Sequence, residues 1–119
     1  MEKNRLNEFD LTDLIFVDAN IFIDHASANP VYGKTCEVFL EKVESKNVVA
    51  ITTTAVLDEV GYILSLLEGA RALKTRELKI VRKKLKEDSK LAVACYKRVC
   101  DYMKYIFFLG ERGLDIQKV

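Results

Sequence analysis

Short unbroken apolar runs alternate along this chain with longer stretches in which apolar residues recur every three or four positions. Leu14-Ile15-Phe16-Val17 is such a run, ending at Asp18, and it predicts a strand buried on both faces. Asn29-Pro30 predicts a helix start, with Asn as cap and Pro in the first turn, and Tyr32, Cys36, Phe39, Leu40 and Val43 follow at helical spacing to about Ser45. Val48-Val49-Ala50-Ile51 reads as a second strand that stops at Thr52-Thr53-Thr54, any of which can cap a helix. That next helix carries the stripe Val56, Val60, Ile63, Leu64 and Leu67.

From Arg71 to Phe108 the spacing stays helical, first through Leu78, Val81 and Leu85, then through Leu91, Cys95, Val99, Tyr102, Met103 and Ile106. A break near Asp88-Ser89 divides it into two helices. Gly110 to Gly113 reads as a turn, and Leu114, Ile116 and Val119 begin a third strand. The order β, α, β, α, α, α, β predicts an α/β fold, a three-layer α/β/α arrangement with a mainly parallel sheet. Right-handed crossovers gather the strand C-termini on one edge, and ligands of such sheets bind there. Asp18 and the Thr52 to Thr54 run both emerge at that edge.

Composition narrows the class. With 119 residues, half of them hydrophobic and 31% charged, the chain makes one globular domain over residues 14–119, preceded by a polar arm or short helix over residues 1–13. No apolar run reaches the length of a membrane span and the first residues lack a signal pattern, so a cytoplasmic location is expected. Cys36, Cys95 and Cys100 show no C-x-x-C spacing and sit in apolar patterns, as small core residues do. The net charge is +1, yet residues 71 to 90 hold nine of the nineteen basic residues and only three of the eighteen acidic ones. One segment is basic and the rest is acidic.

Two acids carry candidate chemistry. Asp18 stands where a buried strand gives out, in Phe16-Val17-Asp18-Ala19-Asn20. It can cap a following turn, or it can bind a hard divalent cation, with Asn20 orienting the carboxylate or a water. Glu59, six residues after Thr53, falls in the second turn of the helix after strand two, on the border of its buried stripe, while Asp58 points further out. Glu59 can simply complement the helix dipole, or it can reach the same sheet edge. Two edge acids from successive β-α units would share one ion of Mg²⁺ or Mn²⁺. A haloacid dehalogenase phosphatase also opens on a strand ending in Asp, but it needs a second Asp where Asn20 stands.

These residues resemble the PIN domain family, metal-dependent ribonucleases that include the VapC-type toxins of toxin-antitoxin systems. The first family block, an apolar strand, an Asp and a small polar residue two later, is matched by Phe16-Val17-Asp18-Ala19-Asn20. The second, a strand, a Ser/Thr turn and a helix bearing Glu, is matched by Ala50 to Val60 with Thr53 and Glu59. The resemblance runs from about residue 14 to the end. It implies a third and often a fourth acid from elements beyond the strand that begins near Leu114, so these residues look like the N-terminal portion of such a domain. Asp101 and Asp115 are the acids near the end of the chain, and neither stands in the family's helical context. An unpaired sheet edge and a homo-oligomer are expected from that.

The resemblance implies a hydrolase that cleaves single-stranded RNA. Asp18 and Glu59 would be metal ligands, Asn20 and Thr53 would orient water or phosphate, and an antitoxin peptide would be a partner. Arg76, Lys79, Lys83, Lys86 and Lys90 step by three and four, which predicts one basic helical face opposite Leu78, Val81 and Leu85. It is either a solvated surface or an RNA-tracking stripe, and Tyr96, Tyr102 or Tyr105 could stack on bases if exposed. His25, the sole histidine, is expected at the surface. The second reading is a noncatalytic RNA- or protein-binding module that keeps the fold without the metal site.

Overall fold

The computed structural model describes residues 14–118; the expected N-terminal arm over residues 1–13 and Val119 lie outside the described residues. The elements are β1 (Leu14–Phe16), α1 (Ala19–Ala26), α2 (Gly33–Glu44), β2 (Val49–Thr53), α3 (Thr54–Leu73), α4 (Leu78–Glu87), α5 (Ser89–Gly110) and β3 (Leu114–Gln117). The fold is α/β, with a three-stranded sheet in the order β1-β2-β3, parallel throughout.

One helix is additional to the sequence expectation and another starts later than expected. The helix α1 directly follows Asp18, where the run Ile21-Phe22-Ile23 hides its period. Its buried residues Ala19, Phe22 and Ile23 nonetheless stand at helical spacing. Asn29 acts as the cap expected of it, its side chain accepting from the N–H groups of Val31 and Tyr32 at 2.8 and 2.9 Å and its carbonyl from Gly33 N at 2.8 Å, but the turn it caps precedes the continuous helix, which starts only at Gly33. The expected break at Asp88 is present: its carboxylate accepts from Lys90 N and Leu91 N, ending α4 and capping α5.

Side chains alternate across the sheet, and the core takes one parity. Ile15, Val17, Ala50, Leu114 and Ile116 join the cluster built by Phe22 of α1, Phe39, Leu40 and Val43 of α2, Val60 and Leu64 of α3, and Ile106 and Leu109 of α5. Leu14, Phe16 and Val49 have the other parity and are 62%, 52% and 44% exposed. Chain order explains this. Two right-handed crossovers that step the same way along a sheet carry their helices over the same face. The described residues therefore form one helical layer on one face of the sheet.

Close approaches fix two joints. A side chain on Gly69 of α3 would meet Val81 of α4, so the absence of a Cβ lets these helices touch. A Cβ on Gly113 would stand 2.5 Å from the carbonyl oxygen of Val48 and 2.6 Å from that of Val43, where α5 turns into β3. The molecule is elongated, 48 × 29 × 21 Å. The long helices explain it: at 1.5 Å per residue α3 and α5 run roughly 30 Å, well past strands of a few residues.

Candidate functional site

The site is built from the carboxyl ends of β1 and β2. Val17 leaves β1 with its N–H on the Ile51 carbonyl at 2.8 Å, and Asp18 follows as the cap of α1, its Oδ1 accepting from Asn20 N at 2.9 Å. On the neighbouring strand Thr53 acts likewise, capping α3 with Oγ1 accepting from Val56 N at 3.2 Å. Between them lies Thr52, wholly buried, whose hydroxyl donates to the Val17 carbonyl at 2.8 Å. Two helix N-termini therefore start from neighbouring strands, and a side-chain bond ties their turns together. Sequence reasoning passed over Thr52 in favour of its neighbours, although its parity toward the core marks it as the buried one.

Asp18 and Asn20 are both exposed, and so is Glu59. Glu59 is in the second turn of α3, about 8 Å of helix from Thr54, beside a buried stripe of Leu57, Val60 and Leu64. Asp18 and Thr53 thus belong to the same sheet edge by chain topology, and Glu59 lies on the helix that starts there. Asp24, unremarked in the sequence, is the next acid. It lies half-buried on α1, with Asn29 Nδ2 at 3.4 Å. Burial pushes the Cys36 thiol up, and the nearby charges of Asp24 and Asp18 push it further, so both acids lie on the side of Cys36. Cys36 and Cys95 are buried and Cys100 is half-buried.

Asp101 and Asp115 do not join this edge. Asp101 is exposed on α5 opposite Lys104, and Asp115 lies on β3, where Gln117 Nε2 donates to it. Among the described residues, no three His, Cys, Asp or Glu side chains gather as a metal site would require of protein ligands alone.

The five-residue basic stripe is divided. The helix α4 covers only residues 78–87, so it carries Lys79, Lys83 and Lys86, whereas Arg76 lies in the connection before it and Lys90 in the first turn of α5. The Asp88 cap breaks the period that the sequence spacing assumed. Arg82 takes their place beside the three lysines, and its Nε donates to Tyr62 of α3 at 2.9 Å. All these basic residues are exposed, and Tyr96 is 59% exposed. Tyr102 and Tyr105 instead pack against the core.

His25 is not the surface residue expected from the sequence. It is half-buried at the end of α1, with Nδ1 2.8 Å from the Tyr102 hydroxyl and its ring against Tyr102 and Tyr105. Burial lowers its pKa, against the opposing charges of Glu37 and Glu41. Burial likewise pushes Tyr105 up to about 12 and raises Tyr102 further.

Comparison with protein-family models, curated proteins and solved structures finds no match to this chain. Among the described residues no helix is long and apolar enough to cross a membrane.

Proposed function

We propose that the chain is a Mg²⁺- or Mn²⁺-dependent endoribonuclease of the PIN type acting on single-stranded RNA, with Asp18 and Glu59 as its carboxylate ligands. The observation that carries this reading is the pair of helix caps, Asp18 and Thr53, at the ends of hydrogen-bonded parallel strands, with Glu59 one turn into the helix that Thr53 starts. Two exposed carboxylates suit a hard cation that keeps most of its waters, and Asp18 Oδ1 spends one acceptor position on Asn20 N while Oδ2 stays available. An ion bound there supplies Lewis-acid chemistry, acidifying water and offsetting charge on phosphate oxygens.

The chain's own groups have separate tasks. Thr53 Oγ1 accepts from Val56 N, which leaves its O–H to donate to a phosphate oxygen. The adjoining N-termini of α1 and α3 present backbone N–H groups and positive dipole ends to the same anion. Lys79, Lys83, Lys86 and Arg82 on α4 would track the strand's phosphates. The helix they occupy meets α3 at Gly69, about 20 Å of helix beyond Thr54.

A three-layer PIN-like arrangement belongs to this reading. Parallel sheets are covered on both faces, and Leu14, Phe16 and Val49 form an apolar face outside the core. A strand added beyond β1 would reverse the strand order, bring its crossover helix onto that face, and open a crevice beside Asp18. An antitoxin peptide and a second copy of the chain are the partners that go with this reading, and the β1 edge is their surface. The second reading, a noncatalytic RNA- or protein-binding module in the cytoplasm, is favoured by one observation: the described acids do not form a group of three.

Calorimetric titration with Mn²⁺ separates the two. The ribonuclease reading expects binding that an Asp18→Ala, Glu59→Ala double variant abolishes, together with RNA cleavage that is lost in Asp18→Asn. Cleavage that persists in Asp18→Asn and in chelator defeats it, and equal Mn²⁺ binding by the double variant defeats the metal site.

A further inference from the structure

A cleft of about 410 Å³ opens at the other end of α1 from Asp18, between the last residues of that helix, the second half of α3 and the middle of α5. Its size falls within the usual range for small-ligand sites. One wall is ionic. Glu68 is mostly buried and receives Arg71 Nη2 on both carboxylate oxygens, at 2.7 and 3.0 Å, while Arg98 Nη1 reaches Oε2 only at 3.5 Å. The two arginines share one oxygen, so these nitrogens are no more than about 6 Å apart, a span that two oxygens of one phosphate bridge. Arg98 keeps most of its donors unspent, and its side chain is exposed.

The rest of the lining is of different chemistry. Leu64, Leu67 and the Tyr102 ring form an apolar floor, and Leu67 is 41% exposed there. The opposite wall is the C-terminus of α1. The carbonyls of Ile23, Asp24 and His25 accept from the N–H groups of Ser27, Asn29 and Ala28, whereas Pro30, four residues after Ala26, has no N–H to give the Ala26 carbonyl. The cleft thus offers guanidinium donors at one side, the Ala26 carbonyl as an acceptor at another and an apolar surface between them. It lies where the basic segment begins: residues 71 to 98 hold eleven Lys/Arg and three Asp/Glu, a field that draws in phosphorylated ligands.

The geometry points to a nucleotide site in this cleft: a phosphate on Arg98 and Arg71, the base on Leu64, Leu67 and Tyr102, and an exocyclic amine donated to the carbonyl end of α1. Adenine and cytosine carry that amine; uracil does not. The ligand is either a free mononucleotide or one unit of a single strand, and the site does not use Asp18 or Glu59.

The test is calorimetric titration of the chain with AMP, UMP, inorganic phosphate and a short oligoadenylate. AMP is expected to bind more tightly than UMP and phosphate, and Arg98→Ala, an exposed position, is expected to weaken it about tenfold or more, the scale of one lost charge-assisted contact. Leu67→Glu is a second exposed variant that should abolish binding through the floor. Oligoadenylate that binds through Arg98 far more tightly than AMP assigns the site to a strand, and equal affinity assigns it to the free nucleotide. Phosphate binding as tightly as AMP, the same affinity for UMP, or affinity unchanged in both variants overturns the proposal. Asp18→Ala should leave AMP binding intact, so this outcome is independent of the metal site.

Discussion

The hydroxyl of Thr52 donates to the carbonyl of Val17 at 2.8 Å, with Thr52 wholly buried. This bond joins the two turns that present Asp18 and Thr53. Thr52→Val keeps the shape and removes the donor, leaving the carbonyl without that partner in the interior. A loss of about 1–3 kcal/mol is expected in urea unfolding, and Thr52→Ser, which restores the hydroxyl, should recover some of it.

The cap and the charge of Asp18 are separable. Asp18→Ala removes the acceptor for Asn20 N and should cost about 1 kcal/mol, whereas Asn caps nearly as well as Asp. Thermal unfolding should therefore rank Asp18→Asn close to the parent and Asp18→Ala below it, while Mn²⁺ binding should fail in both. Mn²⁺ binding that follows stability, failing only in Asp18→Ala, would assign the residue a capping role alone.

Glycines at two positions should respond with opposite signs. Gly61 has open space around a new Cβ within α3, so Gly61→Ala should stabilise by about 0.5–1 kcal/mol through helix propensity. Gly113→Ala would drive a methyl against two backbone oxygens and should destabilise by more than about 2 kcal/mol, because neither strand nor helix end can move aside without breaking the β3 junction. Melting temperatures of the two variants decide it.

Burial lowers the pKa of His25 in the fold, so the unfolded chain takes up its proton first as pH falls. Stability contributed by the neutral ring is complete above the unfolded value near 6.5 and declines as pH drops from there toward the lower folded value. His25→Phe should flatten that region of the unfolding-versus-pH curve. An unchanged slope would assign the pH dependence to other groups.

Tyr102 and Tyr105 titrate late in the fold, Tyr105 at about 12. The unfolded chain loses those protons near 10, so stability should fall as pH rises above that value. An ultraviolet titration should show tyrosine ionisation continuing well above pH 10, and Tyr105→Phe should remove part of that late change.

Local spacing by itself determined the three strands, the break near Asp88, a threonine cap after β2 and four of the five helices, because apolar period and capping chemistry are properties of neighbouring residues. It missed α1, whose apolar run masks the helical spacing of Ala19, Phe22 and Ile23, and it drew one basic face from Arg76 to Lys90 where Asp88 divides it. Only the tertiary structure decided that the core takes one parity of the sheet, that Thr52 rather than its neighbours ties the two turns, that His25 meets Tyr102, and that Glu68, Arg71 and Arg98 enclose a cleft. Each of these depends on which residues from distant regions of the chain the strand order and helix packing bring within a few ångströms, and a one-dimensional period carries no record of that.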